Sequence, residues 1–364
     1  MAKRNIIVIG GSTGSFEGFK TIAAGLPKDF DASIFIVWHM SPDVNGVLPQ
    51  VLNRVGKVYA SEAAEGEKIE PGRIYVARPD HHLLIEDSAI HIARGPKENR
   101  FRPAIDPLFR SAAYSYGPRV IGIILSGALD DGTSGLWAIK RGGGVAVAQD
   151  PNDAEISSMP EHAIREVDVD HIVRAEAIPG LLVKLSREEV SGSAEEMMRD
   201  PAERQRMERE VKIAAEENAL EKGVLQWGDL TPFTCPECSG VLARINDGGR
   251  PRYRCHTGHA FSADALLSAL TENIENSLWS AIRGVDESII LLNHIGDHYA
   301  EVNQGKLAAK FFQKAKEATT RNEVIRRTVM DHELLSNESV KQAPDPPLFG
   351  ENGHERSRAG MGEN

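Results

Sequence analysis

The sequence predicts an α/β protein whose first half is a doubly wound, mostly parallel sheet with helices on both faces, followed by a small cysteine-bearing module and C-terminal helices. Three observations predict it. Short runs rich in Ile and Val, at residues 6–9 and 120–125, lack the alternation of a sheet wetted on one face, so they suit parallel strands covered on both faces. Segments of helical spacing separate these runs and give the repeating βα order of a doubly wound fold. All three cysteines fall in one short stretch, from Cys235 to Cys255.

Taken in order, strands are expected at residues 6–9, 33–38, 73–77, 82–86, 120–125 and 145–149, with covering helices at 16–25, 106–116 and 134–141. The runs 73–77 and 82–86, split by Arg78-Pro79-Asp80-His81, read as a hairpin on one edge. Beyond Leu185 the composition shifts to a Glu/Arg/Met-rich stretch, a connecting helix or charged linker over 191–230. Residues 231–262 form the cysteine module, with a turn at Gly248-Gly249 midway. From 263 to 335, apolar residues at helical spacing (Leu266, Leu270, Ile274, Leu278, Ile282, then Val285, Ile289, Leu292, Ile295) predict two or three helices, broken near Gly296 and Gly305. The Pro- and Gly-rich end, 336–364, is expected to be disordered.

Composition narrows the function. At 364 residues the chain is long enough for two or three domains, and 41% hydrophobic residues suffice for a sizeable core. A net charge of -11 argues against nucleic acid or an anionic membrane surface as the partner, since both need clustered basic charge. An odd number of cysteines does not suit a secreted disulfide framework. The apolar run behind Lys3-Arg4 stops at Gly10-Gly11, too short for a signal peptide core, and no stretch approaches the roughly 18 apolar residues of a membrane helix. A soluble, cytoplasmic protein without membrane insertion is expected.

Gly10-Gly11-Ser12-Thr13-Gly14 follows the first strand and opens the first helix, and Gly10-x-Ser12-x-Gly14 fits a nucleophile elbow. A phosphate-binding turn is the competing reading. It would require an acid about 20 residues on, where the chain has Trp38-His39-Met40, or the Gly-Lys-Ser/Thr of a Walker loop, which is absent. A lone His after a strand is commonly structural, and Asp130-Asp131 after the strand at 120–125 could be turn formers. Co-location changes the weighing, because Ser12, His39 and the Asp130/Asp131 pair all emerge at the carboxyl edge of one sheet, where open α/β folds put their chemistry. Nucleophile, base and orienting carboxylate are then available in one crevice.

These residues, with Ala77-Arg78-Pro79-Asp80-His81-His82-Leu83, Arg102-Pro103-Ala104-Ile105-Asp106-Pro107-Leu108-Phe109-Arg110 and Ser158-Met159-Pro160, carry a resemblance. Residues 5–185 are similar to the catalytic domain of CheB-type protein-glutamate methylesterases of bacterial chemotaxis. The resemblance implies Ser12 as nucleophile, His39 as its general base and Asp131 as the carboxylate orienting His39, with Asp130 ranked second at a variable position. It implies hydrolysis of glutamate γ-methyl esters on a methylated chemoreceptor or related signalling protein, releasing methanol, with no cofactor for catalysis. The backbone around Thr13 and Ala128 is expected to serve the oxyanion.

Two departures stand out. Archetypal members carry a receiver domain ahead of the esterase, whereas here the first catalytic strand begins at residue 6, so control by a receiver in cis is not expected. Ala128-Leu129 replaces the family's usual Met-Gly before the Asp turn.

Cys235-Pro236-Glu237-Cys238 and, further on, Cys255-His256-Thr257-Gly258-His259 give a C-x₂-C…C-x₃-H arrangement that suits a tetrahedral zinc ion. A chance C-x₂-C or a redox dithiol explains neither the third Cys nor the His after it. Cys235, Cys238, Cys255 and His259 are the expected ligands, because His256, adjacent to Cys255, is poorly placed to chelate with it. Four protein ligands close the shell, so a structural Zn²⁺ in a zinc-ribbon-like module is expected, and not a catalytic one. The helices after it could mediate oligomerisation or hold a separate regulatory partner. Rival readings are a glutamine deamidase on the same receptors and a non-catalytic signalling adaptor.

Overall fold

The structure is a computed structural model that describes residues 2–40, 47–194, 200–216, 218–247, 250–336 and 339–340. The Gly248-Gly249 turn and most of the 336–364 tail lie outside the described residues. In the first half the strands are β1 (Ala2–Lys3), β2 (Ile6–Gly11), β3 (Ser33–Trp38), β4 (Tyr59–Glu62), β5 (Arg73–Val76), β6 (His82–Glu86), β7 (Ala89–Ala93), β8 (Val120–Ile124), β9 (Val145–Gln149), β10 (His171–Val173) and β11 (Glu189–Val190). The helices are α1 (Phe16–Gly25), α2 (Leu48–Val55), α3 (Ile105–Tyr116), α4 (Thr133–Arg141), α5 (Ser158–Glu166) and α6 (Ile178–Leu185).

Seven strands form one parallel sheet in the order β10-β9-β8-β2-β3-β5-β4. The apolar continuity of the strands is explained by burial on both faces. Val8, Phe35, Tyr75 and Ile124 pack against Leu108 and Phe109 of α3, Leu136 of α4 and Met159 of α5. Ile7, Ile9, Ile34, Ile36 and Ile123 pack against Phe19 of α1, Leu52 of α2 and Leu182 of α6. Each such side chain contributes about 1.5–3 kcal/mol by leaving water, so the two cores hold helices on both faces of the sheet. After β2 the chain turns toward β3, and after β8 toward β9. The crevice at the carboxyl ends of β2 and β8 is therefore the topological switch point of the sheet.

The hairpin lies one strand later than the sequence suggested. β5 is an interior parallel strand between β3 and β4, and β6 pairs antiparallel with β7. Its two-residue turn is Asp87-Ser88, with φ of 47° and 66°, the left-handed pair that matches the twist of a tight hairpin. Asp and Ser adopt it without a glycine to announce it.

The second half begins with α7 (Pro201–Ala214), capped by the Asp200 side chain, which accepts from the Ala202 amide. Four strands follow, β12 (Asp229–Thr234), β13 (Val241–Asp247), β14 (Arg250–Cys255) and β15 (Ala260–Ser262), in one antiparallel sheet of sequential order. Two long helices, α8 (Ala263–Glu301) and α9 (Gly305–Met330), pack as a hairpin. The expected break near Gly296 does not occur. A Cβ there would lie 2.6 Å from Phe312 Cε1, so the glycine admits α9 close to α8 and the helix runs on to Glu301. Among the described residues no helix is long and apolar enough to cross a membrane.

A buried ionic cluster joins the halves. Arg110 of α3 pairs with Glu98, in the loop after β7, and its Nε lies 3.2 Å from Glu210 of α7. Arg252 and Arg254 of β14 reach the same carboxylates, Arg252 Nη1 at 2.8 Å from Glu210 and Arg254 Nη2 at 2.8 Å from Glu98. Burial opposes both carboxylates, yet the three guanidiniums hold Glu210 down to about 2 and Glu98 well below the ordinary range.

Candidate active site and metal centre

Ser12 sits just past β2 with its side chain nearly buried. Its backbone is pinned from three sides: the Ser12 amide donates to Ser126 C=O (2.9 Å), while Ser12 C=O accepts from the Ser15 amide (3.1 Å) and Trp38 Nε1 (3.2 Å). Since its own amide is spent on Ser126, Ser12 offers no oxyanion donor of its own. Gly127 lets the two strand ends close: a Cβ at that position would lie 2.0 Å from Met159 Sδ and 2.8 Å from Ser12 Cβ.

His39 follows β3, its amide bound to Gly11 C=O (3.1 Å). His39 Nε2 lies 2.7 Å from Asp131 Oδ2, both side chains buried. An ionised carboxylate can only accept, so Nε2 carries the ring proton and Nδ1 keeps its lone pair. Among the described residues nothing hydrogen-bonds to His39 Nδ1. The Phe101 ring stacks flat on the imidazole, centroids 3.7 Å apart at 9°.

Asp131 is surrounded by donors. Besides His39, it accepts from the Ile105 amide (2.7 Å), the Asp106 amide (3.4 Å) and Asn99 Nδ2 (2.8 Å). The two amides are the free N–H groups at the start of α3, where the helix favours negative charge. Burial alone would raise its pKa, but the His39 contact, the Ile105 amide and Asn99 outweigh it and hold Asp131 below the ordinary carboxylate range. Asp130 turns the other way. Its Oδ1 accepts from Ser262 Oγ (2.6 Å), and burial, with Asp264 nearby, pushes it up to about 7.

Ser12, Thr13, His39, Met40, Ala128 and Leu129 line one cavity, joined by Arg100, Phe101 and Arg102 and, from the second half, Ser268 and Ser336. Thr13 and Ala128 thus face the same space as Ser12. Leu129, where the resemblance puts a glycine, adopts φ 63°. Its carbonyl accepts from Ser158 Oγ (3.2 Å). The left-handed backbone is retained although the residue that adopts it freely is not.

Sequence reasoning missed Asn99, Phe101 and Ser262. The loop carrying the first two is held at both ends by His82, whose Nε2 donates to Pro96 C=O (2.9 Å) and whose Nδ1 accepts from the Ala104 amide (3.3 Å). Burial lowers the His82 pKa, which suits this neutral, two-sided role. The only local signal was Asn99 itself, a residue that tolerates its φ of 48°.

Cys235, Cys238, Cys255 and His259 converge, their ligand atoms all within 4.8 Å of one another. Cys238 Sγ and Cys255 Sγ are 3.7 Å apart, and His259 Nδ1 lies 3.7 Å from Cys235 Sγ and 3.6 Å from Cys255 Sγ. Tetrahedral zinc with bonds of about 2.3 Å to sulfur and about 2.0–2.1 Å to nitrogen separates its ligands by about 3.6–3.8 Å, so the donor set fits. Two tight turns present the ligands, with Ser239 at φ 59° and Gly258 at φ 102°. His256 packs against Gly240, where a Cβ would lie 2.3 Å from its Cε1, and is not in the cluster. A metal held here would cross-link the two turns of a sheet with a small core.

Comparison with known proteins bears on the first half of the chain. The family model described as CheB methylesterase matches residues 7–182. A relative from Leptospira interrogans is 42% identical over 182 residues, 50% of this chain and 94% of that protein. The protein-glutamate methylesterase/protein-glutamine glutaminase of Pyrococcus horikoshii is 36% identical over 185 residues, 50% of each chain. The crystal structure of the Thermotoga maritima CheB methylesterase catalytic domain is 34% identical, covering 51% of this chain and 99% of that one, with a TM-score of 0.48. Over its first half, the chain belongs to the CheB methylesterase family.

Proposed function

We propose that the protein hydrolyses glutamate γ-methyl esters on a protein substrate, with Ser12 as nucleophile, His39 as general base and Asp131 as the carboxylate that orients His39. One observation carries this reading: His39, paired through Nε2 with buried Asp131 and without a hydrogen-bond partner at Nδ1 among the described residues, lines the cavity that Ser12 also lines. Ser12 Oγ attacks the ester carbonyl carbon while Nδ1 takes its proton. Thr13 and Ala128 line the same cavity, and their amides are assigned to the tetrahedral oxyanion. The proton then passes to the departing methoxide, which leaves as methanol. Water, deprotonated by His39, clears the acyl-enzyme and yields the carboxylate. No cofactor enters these steps.

The names of the relatives support a second reading at the same residues, deamidation of a protein glutamine, in which ammonia departs in place of methanol. The substrate we propose is a methylated chemoreceptor-type signalling protein in the cytoplasm. The cysteine cluster supports a structural Zn²⁺. We retain the division into a catalytic unit over 1–190, a helical connection over 191–230, a zinc-ribbon-like module over 231–262 and a helical region over 263–335 that could hold a regulatory partner.

The test is product release from a methyl-labelled receptor preparation, wild type beside Ser12→Ala. Methanol that disappears in the variant supports the esterase, and ammonia alone supports the deamidase. Neither product overturns both and leaves the adaptor.

A further inference from the structure

The cysteine-bearing module reaches into the candidate active site. Its last strand, β15, runs beside the loop that follows β7: the Ala260 amide donates to Lys97 C=O (3.2 Å) and the Asn99 amide to Ala260 C=O (2.8 Å). The Ser262 amide then donates to the side chain of Asn99, at Oδ1 (2.9 Å). A backbone N–H can only donate, so it dictates which end of the Asn99 amide faces it. The other end, Nδ2, must point the opposite way, and there it donates to Asp131 Oδ1 (2.8 Å) and Asp106 Oδ2 (3.0 Å).

Two buried carboxylates thus share one neutral donor. Asp106 also accepts from the Gly135 amide (2.6 Å), and burial together with Asp131 pushes it up to about 6. The ionisable groups facing Asp131 are His39 from the end of β3, Asp106 from α3 and His82 from β6, with Arg110 behind Asp106. Turned about, Asn99 would present its oxygen to both carboxylates and repel them. We propose that the C-terminal module completes the catalytic carboxylate: the Ser262 amide sets the orientation of Asn99, and Asn99 holds Asp131 as the anion that orients His39. Asn99 and Ser262 are positioning residues, and Phe101, on the same loop, fixes the plane of the imidazole. The roles rest on the esterase reading of Ser12, His39 and Asp131.

The test uses the full-length protein. Asn99→Ala removes the shared donor, and Asn99→Asp replaces it with a third carboxylate. Ser262→Pro removes only the amide N–H and the hydroxyl, since Ser262 already has φ -69°, which proline accepts. Ser262→Ala keeps the N–H and loses the hydroxyl alone. Two readouts are followed against pH: kcat/KM for methanol release, and the downfield proton resonance of the His39–Asp131 hydrogen bond. In Asn99→Asp the acid limb of kcat/KM should rise by about one pH unit or more, and the resonance should vanish at correspondingly higher pH. Asn99→Ala and Ser262→Pro should shift both in the same direction by less, and Ser262→Ala should not shift the resonance. Should Ser262→Pro fail to fold, the two Asn99 variants decide alone. Limbs and resonances that superimpose on wild type in both Asn99 variants overturn the proposal. The resonance needs no substrate, so a wild type that releases no methanol overturns the esterase reading without deciding this one.

Discussion

His39 Nε2 and Asp131 Oδ2 stand 2.7 Å apart, while Asp130, one residue earlier in the chain, bonds Ser262 and does not touch the imidazole. Adjacent aspartates at the end of one strand therefore serve opposite sides of the loop. Asp131→Asn preserves shape but favours the wrong tautomer of His39, and kcat for methanol release should fall by roughly 10³–10⁴. Asp130→Asn should cost far less. Steady-state kinetics of both variants check this, and the reverse ranking would refute the assignment.

Leu129 stands in a left-handed conformation that costs a non-glycine residue about 1–2 kcal/mol, and a new glycine returns about 0.5–1 kcal/mol as unfolded-chain entropy. Leu129→Gly should therefore stabilise the protein by about 0.5–1 kcal/mol. Urea unfolding would show it as a raised midpoint at unchanged slope. A lowered midpoint would mean that the leucine side chain contributes more by packing than its backbone costs.

Removal of metal should act on the module first. We expect about one zinc per chain by elemental analysis, lost in Cys235→Ser, because the four ligands converge at zinc-like spacing. Strong chelators should speed amide exchange in residues 229–262 before the parallel sheet responds. A metal-free protein with slow exchange in that segment would contradict the prediction.

The ionic cluster makes an acid-stability prediction. Glu98 and Glu210 have folded-state pKa values below their unfolded ones, so the unfolded chain binds their protons first as pH falls. The stability they contribute is fully present above their unfolded value and is lost as pH descends from there toward about 2, where Glu210 titrates in the folded state. Glu210→Gln leaves Arg252 short of a buried partner and should cost about 3–5 kcal/mol at neutral pH. Denaturant midpoints at pH 7 and near pH 3 measure both effects, and the penalty of the variant should shrink at the lower pH.

The parallel sheet was legible because short runs rich in Ile and Val, such as residues 6–9 and 120–125, have one good environment, burial on both faces. Ser12 and His39 were legible because strand ends in such sheets are where polar residues have a use. What escaped was long-range or conformational. Nothing local says that β6 pairs with β7, since Asp87-Ser88 turns without glycine. The Gly296 position was misread because a glycine that ends a helix and one that admits a neighbouring ring look alike in sequence. The charged stretch carrying Glu210 reads as a connecting helix or charged linker, and only three arginines from other segments reveal that Glu210 is buried. Asn99 was missed for the same reason: its partners Asp131 and Ser262 are far away along the chain.

That last separation has a consequence in time. Ser262 follows Asp131 by 131 positions, so at about 5–20 residues per second a nascent chain contains all three residues of its candidate triad for roughly 7–26 s before the residue that orients Asn99 has even been joined. The parallel sheet can fold in that interval, but the hydrogen-bond chain from Ser262 through Asn99 to Asp131 cannot close. Synthesis itself thus acts as a delay, and the hydrolase acquires its finished carboxylate only after the cysteine cluster has been made.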